Sequence, residues 1–337
     1  MPGRAVDSVV VTGGAGFIGS TIARRLLDEG HTVTAADIAG LSESARYILG
    51  ARLADVHERH CAVDSWPEVI DLVRHTRPDV IVHVAAIANP VYLERNPLAA
   101  LRVNVEGTFN VLEAARQFEV RTVIFLSSIG ALPSVQYEPI DASHPTILAT
   151  EGPGSGFYGA SKLAGEAFAL TYATTFGLDV RIIRPSAVYG LGMNWPIYIK
   201  PMVEGAVRGE SVRFSSGASF PRDYTHVDDV ASLVSSLLNA PSTADRVFYG
   251  ATGRPLVTAA QVAQIVRDLV PGADIEIGDA MSAGDELEIR YRGQLSIANA
   301  VEQLGWSPVY PTLREGIAEY IESYRQFLNS QSSEVLA

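Results

Sequence analysis

Val9-Val-Val-Thr-Gly-Gly-Ala-Gly-Phe-Ile-Gly-Ser20 reads as a short apolar strand that runs into a glycine loop and opens a helix. Gly13, Gly16 and Gly19 fall in a G-x-x-G-x-x-G spacing, a variant of the dinucleotide-binding fingerprint. Glycine serves three needs there: a tight turn, close approach of backbone to a pyrophosphate, and close packing of helix on strand. The helix N-terminus that follows offers unpaired N–H groups and a positive dipole end to phosphate oxygens. Its periodicity puts Ile18, Ile22 and Leu26 on one face, with Arg24 and Arg25 turned outward. Glycine-rich turns are common, so the strand before and the amphipathic helix after give this one its meaning.

The same rhythm continues through the first half. β-branched runs at Ser8–Thr12, Thr32–Ala36, Arg59–Val63, Val80–Val84, Thr122–Ser127 and Val180–Arg184 alternate with helical patterns. The helices are expected near Phe17–Glu29, Trp66–His75, Leu98–Phe118 and Phe157–Phe176. Such alternation predicts an α/β chain of the Rossmann type, with a doubly wound parallel sheet. Leu101, Val105, Phe109, Leu112 and Ala115 share one helix face, suited to core packing or to a dimer seam.

Beyond about residue 190 the pattern loosens. Short strands (Val212–Phe214, Arg246–Tyr249, Ile275–Ile277) mix with helices near Pro196–Val207, Val230–Leu238 and Ala259–Leu269. The expectation is a cofactor-binding domain over residues 1–190 and a smaller α/β substrate-binding lobe over 191–330, interleaved with it. The end of the chain, Asn329–Ala337, is expected to fray, with 331–337 as a tail.

Of the 337 residues, 47% are hydrophobic and 19% charged, enough apolar material for a large core. The net charge of −12, with no basic stripe, argues against a nucleic-acid partner. Cys61 is the only cysteine, so neither a disulfide nor a cysteine metal site forms within one chain. The chain starts almost directly with a strand and has no apolar run of membrane length, which predicts a cytoplasmic protein without a membrane anchor.

Asp37 ends the second strand eighteen residues past Gly19. A carboxylate there accepts hydrogen bonds from both adenosine ribose hydroxyls and repels a 2′-phosphate, which favours NAD over NADP. A helix N-cap is the plainer alternative. Asp64, ending the third strand, suits the adenine amino group or, again, a helix cap. Ala85 and Ala86 are small where backbone passes close to a cofactor. Further on, Tyr158 and Lys162 stand four residues apart, which brings phenol and ammonium to one helix face. A nearby ammonium favours the tyrosinate, the form a general base requires. Ser127 and Ser128 end the fifth strand, whose carboxyl end points at the ligand crevice of an open α/β sheet.

Together these segments make the chain resemble the extended short-chain dehydrogenase/reductases of the NAD-dependent epimerase/dehydratase family. The resemblance covers nearly the full length. It rests on Thr12-Gly-Gly-Ala-Gly-Phe-Ile-Gly19, His83-Val-Ala-Ala86, Asn104-Val-Glu-Gly-Thr108, Phe125-Leu-Ser-Ser128, Tyr158-Gly-Ala-Ser-Lys162 and Arg184-Pro-Ser-Ala-Val-Tyr-Gly190. Arg222-Asp-Tyr-Thr-His-Val-Asp-Asp229 and Leu304-Gly-Trp-Ser-Pro308 complete it. What it implies is NAD held with its nicotinamide toward Tyr158, which takes a hydroxyl proton as hydride leaves the carbon. Lys162 would also bind the nicotinamide ribose, Ser128 would align the hydroxyl, Ser127 would line the nicotinamide side, and Asn104 would steady the loop beneath. Phe17, Ile18 and Pro185 join the cofactor contacts by the same resemblance. Arg222 would grip a substrate diphosphate, or else pair with Asp223 or Asp228. A homodimer through the Leu98–Phe118 and Phe157–Phe176 helices is also implied.

Family dehydratases carry an Asp-Glu pair, and decarboxylases a Glu, directly after the catalytic Ser or Thr. Here those positions are Ile129 and Gly130, which move no proton. Epimerisation through a transient ketone, or plain oxidation or reduction, remains. Leu132-Pro133, Ala187 and the stretch Phe214–Arg222 depart from the pattern of sugar-nucleotide members. Met193–Lys200, with Trp195 and Tyr198, is a candidate pocket lining, with core packing the alternative for Trp195. His226 lies beside carboxylates, but without a second histidine at ligand spacing it reads as structural, and no metal is expected. Glu151–Gly156 reads as a lid or a simple connector. The leading expectation is a nucleotide-sugar 4-epimerase. The alternatives are an NAD-dependent dehydrogenase of a free sugar, sugar acid or other small alcohol, and a non-catalytic dinucleotide binder.

Overall fold

The computed structural model describes residues 8–148 and 156–335, and at its centre is a parallel sheet of seven strands. In chain order they are β1 (Ser8–Thr12), β2 (Thr32–Asp37), β3 (His57–His60), β4 (Val80–His83), β5 (Thr122–Leu126), β6 (Asp179–Pro185) and β7 (Val247–Gly250). Across the sheet the order is β7-β6-β5-β4-β1-β2-β3. The winding direction reverses between β1 and β4, so the chain leaves their carboxyl ends toward opposite faces and opens a crevice there. The register pairs Thr12 with Ala36 on one side and with His83 on the other, which aligns the strand ends that border the crevice.

Alternation along the strands explains how one sheet serves two cores. Val9 and Val11 pack with Ile22 and Leu26 of helix α1 (Phe17–Asp28), and with Val230 and Leu233 of a helix from late in the chain. Val10 faces the other way, into a core with Ile81, Val123 and Phe125, and with Ala169 and Tyr172 from the Tyr158 helix. A third core holds Tyr189, Met193, Ile199, Met202, Ile317 and Tyr320 beneath short strand pairs of the C-terminal half. Residues 227–239 form a helix packed on α1, and β7 joins the main sheet, so the chain returns to the first core after contributing to the third.

Three elements differ from the sequence reading. The third strand pairs at His57–His60 and not at Arg59–Val63. Cys61 and Val63 are buried below the strand end, whereas the paired residues are exposed, as suits a charged edge strand. Leu98–Phe118 is not one regular helix: Ala100–Glu106 winds as a π-helix before the α-helix Gly107–Gln117. Its face is also divided. Leu112 and Ala115 are core, whereas Leu101 and Phe109 are exposed at 57% and 40%. Finally, the last helix runs Leu313–Val335, through most of the stretch expected to fray. Glu151–Ser155 of the expected lid or connector lie outside the described residues.

Candidate active site

A cavity of about 940 Å³ lies along the carboxyl ends of the strands. Its first wall is the glycine loop. Gly13 has φ of 70°, and a Cβ there would come 2.7 Å from the Ala85 backbone nitrogen. A Cβ on Gly19 would run into the carbonyl oxygen of Gly13. Side chains at either place would force the loop away from β4 or from its own helix, so the cradle needs glycine. Phe17, Ile18, Ala85, Ala86 and Pro185 line the same cavity.

Asp37 stands at the end of β2 with Oδ2 accepting from the Ala15 N–H at 3.1 Å. It caps no helix, because Ser42 caps the next one by accepting from the Ala45 N–H. Asp64 likewise lines the cavity, and Ser65 holds the N-cap position of the helix Trp66–Thr76. Asn104 stands behind the wall, 1% exposed, and does not line the cavity. Its amide accepts from the Ile87 N–H at 2.8 Å and donates to the Ile87 carbonyl and the Ser161 hydroxyl, both at 3.0 Å. Asn104 thus pins the loop after β4 to the helix that carries Tyr158. His83 ties the glycine strand into the same frame, between the hydroxyls of Thr12 at 2.7 Å and Thr108 at 3.0 Å. Burial, with the Lys162 charge second, pushes its imidazole down to about 3, so the ring stays neutral.

The helix Gly156–Phe176 presents Tyr158 and Lys162 to the cavity, opposite Ser127 and Ser128 at the end of β5. The Tyr158 phenol is hydrogen-bonded to Ser128, whose Oγ also accepts from the Gly130 N–H at 3.0 Å. Burial raises the phenol above its ordinary value, and the bond to Ser128 offsets only part of that. The sequence reading expected the Lys162 ammonium to lower it. In the structure Nζ donates to the Leu126 carbonyl at 2.7 Å and lies 5.1 Å from the centre of the Phe125 ring. Burial brings that ammonium down to about 8, opposed by the charge of Glu166.

Glu166 is the residue sequence reasoning missed on this helix. It is buried, accepts from the Ser127 hydroxyl at 2.5 Å, and takes two bonds from Arg184, at 2.9 Å from Nε and 2.6 Å from the terminal nitrogen. Arg184 in turn donates to the Tyr249 hydroxyl at 3.1 Å. The network fixes the ends of β5, β6 and β7 against the helix, and so sets where Ser127 and Lys162 stand.

At the far end of the cavity lies Arg222, which pairs with neither Asp223 nor Asp228. Asp223 is taken up by Thr225 and Thr252, and Asp228 by Arg24 and Tyr310. The partner of Arg222 is Glu288 at 3.1 Å, and Arg292 binds the same oxygen at 2.9 Å. Nε of both arginines is buried without a hydrogen-bond partner among the described residues. Trp195, 39% exposed, lines the cavity beside Met193 and Asn194 and is not core. Tyr198 lies outside that lining, its ring against Phe214 at 5.1 Å. His226 caps the helix Val227–Asn239 through Nδ1, which accepts from the Asp228 N–H, and its Nε2 is 2.8 Å from Glu319.

The glycine loop, a Ser–Tyr–Lys set and an arginine pair therefore share one cavity. The chain is 31% identical to a UDP-glucose 4-epimerase of Mycolicibacterium smegmatis, over 94% of this chain and 98% of that one. Among solved structures it is similar to a Thermotoga maritima UDP-glucose 4-epimerase with UDP-glucose, at a TM-score of 0.81 and 26% identity, covering 95% of this chain and 99% of that one. It is also similar to a Thermus thermophilus UDP-glucose 4-epimerase in complex with NAD, at 0.75 and 26%, covering 94% and 98%. The family model for the NAD dependent epimerase/dehydratase family matches residues 9–248. With the glycine cradle, the acidic strand end and the Ser–Tyr–Lys set in place, the chain belongs to the NAD-dependent epimerase/dehydratase family and is an enzyme of that family.

Proposed function

We propose that this protein interconverts nucleotide sugars, of the UDP-hexose type, by inverting one ring hydroxyl at C4. The observation that carries this reading is the composition of the cavity. One end fits a dinucleotide, the other holds Arg222 and Arg292, and the residues after Ser128 are Ile129 and Gly130. An arginine pair suits a diphosphate, whose oxygens match several N–H donors at once. With Ile129 and Gly130 beside Ser128, the extra acid/base work of dehydration or decarboxylation has no group at that place.

Gly13, Gly16, Phe17 and Ile18 would hold the NAD pyrophosphate, Asp37 the adenosine ribose, and Asp64 the adenine. Ala85, Ala86, Ser127 and Pro185 would line the nicotinamide half, and Lys162 its ribose. Bound NAD supplies a hydride acceptor and, on the return, a hydride donor. Tyr158 takes the proton from the sugar hydroxyl, and Ser128 holds that oxygen in line with the phenol. On the return Tyr158 gives the proton back to the same oxygen, while the opposite face of the carbon is the one that would take the hydride. Epimerisation needs the ketone to present its second face, which requires the sugar to turn while the arginines keep the phosphates.

The test is incubation of the protein with UDP-glucose or UDP-galactose, following isomer ratio by NMR and NADH by absorbance. The expected result is approach to an isomer equilibrium with no growth of NADH. NADH rising in step with product would instead make the protein a dehydrogenase. Asp37→Ala is expected to weaken NAD about tenfold in a fluorescence titration and to narrow the gap to NADP, since it removes both an acceptor and a repelling charge. An unchanged NAD affinity would remove Asp37 from the cofactor site.

A homodimer is supported by the exposed Phe109, Phe168 and Phe176, linked across two helices by ring contacts to one another and to Tyr172, and by the exposed Leu101. Sedimentation of the intact protein checks it. No helix among the described residues is long and apolar enough to cross a membrane. A cytoplasmic location goes with the single, buried thiol of Cys61 and with dependence on NAD.

A further inference from the structure

The two arginines of the cavity already share an anion supplied by the chain. Arg222 and Arg292, with side chains 12% and 10% exposed, both donate to one oxygen of Glu288. Two guanidiniums on a single carboxylate leave net positive charge in a place with little solvent. Burial and then the charge of Arg292 hold the Arg222 guanidinium below its ordinary value, and Glu288 only partly opposes them. The arginines are fixed in place: Arg222 lies over the Phe220 ring at 4.7 Å and Arg292 over Tyr291 at 4.8 Å. Their buried Nε donors, and the Tyr224 hydroxyl, have no protein partner among the described residues. The donors outnumber what one carboxylate oxygen can take.

Glu288 is the most exposed of the three. Its side chain is 35% exposed, and it ends the short helix Ala283–Glu288, whose Gly284 and Leu287 border the same cavity. Of the other acids on that helix, Asp285 is engaged with Ser282 in a capping box and Glu286 is exposed. Glu288 is thus the one carboxylate among the described residues that reaches this arginine pair.

We propose that Glu288 is a resident counter-anion of the nucleotide-diphosphate subsite. It occupies Arg222 and Arg292 in the free protein and is displaced by the phosphates of the substrate, so it sets how tightly that substrate binds. The inference rests on the nucleotide-sugar reading above. A diphosphate offers more acceptor oxygens than a carboxylate and can satisfy the Nε donors that Glu288 leaves unpaired. Every anion entering must first break the two bonds to Glu288, and that cost is subtracted from its affinity. An uncharged ligand that leaves the arginines alone does not bear it.

Calorimetric titration of the intact protein with UDP and with uridine tests this, on the unaltered chain and on Glu288→Gln and Glu288→Ala, with thermal melts confirming the fold of both variants. Loss of the competing charge is expected to lower the Kd for UDP about five- to tenfold in both variants, and to leave uridine unchanged. A UDP affinity that is unchanged or weaker in the variants overturns the counter-anion role while the nucleotide-sugar reading stands. Equal tightening for uridine overturns it too, and makes Glu288 a steric lid. Absence of UDP binding to all three proteins overturns both readings together.

Discussion

Replacing Tyr158 with phenylalanine is expected to lower kcat at least about a thousandfold while the protein stays folded and keeps its cofactor. A positioned acid/base group contributes about a hundred- to ten-thousandfold, and here the same phenol acts in both directions of the reaction. Among the cavity residues it is the group placed to take a proton beside Ser128. The sign of its pH dependence follows from its surroundings. Burial holds the phenol above its ordinary value, so the tyrosinate is scarce in the protein alone at neutral pH. The rate should therefore rise with pH on the acid side, as more of the base is formed, and the phenylalanine variant should lose that rise. Ser128→Ala, which leaves the base in place, should cost less and keep the limb. Stopped kinetics across pH, with cofactor content read from absorbance, would show this. A phenylalanine variant within about tenfold of the parent would remove Tyr158 from the chemistry.

How much of this was legible in the sequence depends on the reach of each interaction. The βαβ units were readable because each strand carries its own apolar run and each helix its own stripe. Gly13, Asp37, Tyr158 and Lys162 were readable as candidates because the signal for each lies within one loop, strand end or helical turn. The partner of Arg222 was not readable: Glu288 lies far along the chain in a segment without periodicity, and nearer carboxylates at Asp223 and Asp228 were the obvious choices. Arg292 was hidden for the same reason. The π-wound turn at Ala100–Glu106 carries Asn104, whose bonds to Ile87 and Ser161 are tertiary ones that no local propensity encodes. The exposed edge strand was misplaced because Cys61 and Val63 are apolar, yet they are buried just beyond the paired residues. The direction of the Tyr158 shift was misjudged because spacing puts Lys162 on the right face but says nothing of where its ammonium points.

Glu166 did leave a trace: an acid four residues past Lys162, inside the apolar run Gly165-Glu-Ala-Phe-Ala-Leu170, asks for a buried cation. Its removal should have the largest effect on stability. Glu166→Leu leaves the Arg184 guanidinium 6% exposed, charged and without its carboxylate, and breaking such a buried pair costs about 3–5 kcal/mol. In a chain of this size that corresponds to a fall in Tm of roughly 4–7 °C by calorimetry. The double variant Glu166→Leu, Arg184→Leu should recover a large part of the loss, because it removes the stranded charge along with its partner. Activity should not recover with it. Ser127 would still lack the acceptor that fixes its hydroxyl, and Lys162 would lack the negative charge that opposes its desolvation. The ammonium, already brought down to about 8, would fall further, so the variant should lose rate at a lower pH on the alkaline side than the parent does. Recovery of Tm together with full rate and an unshifted alkaline limb would reduce the pair to a structural tie. Recovery of Tm alone would establish that the carboxylate behind the sheet also sets the working charge of the lysine in front of it.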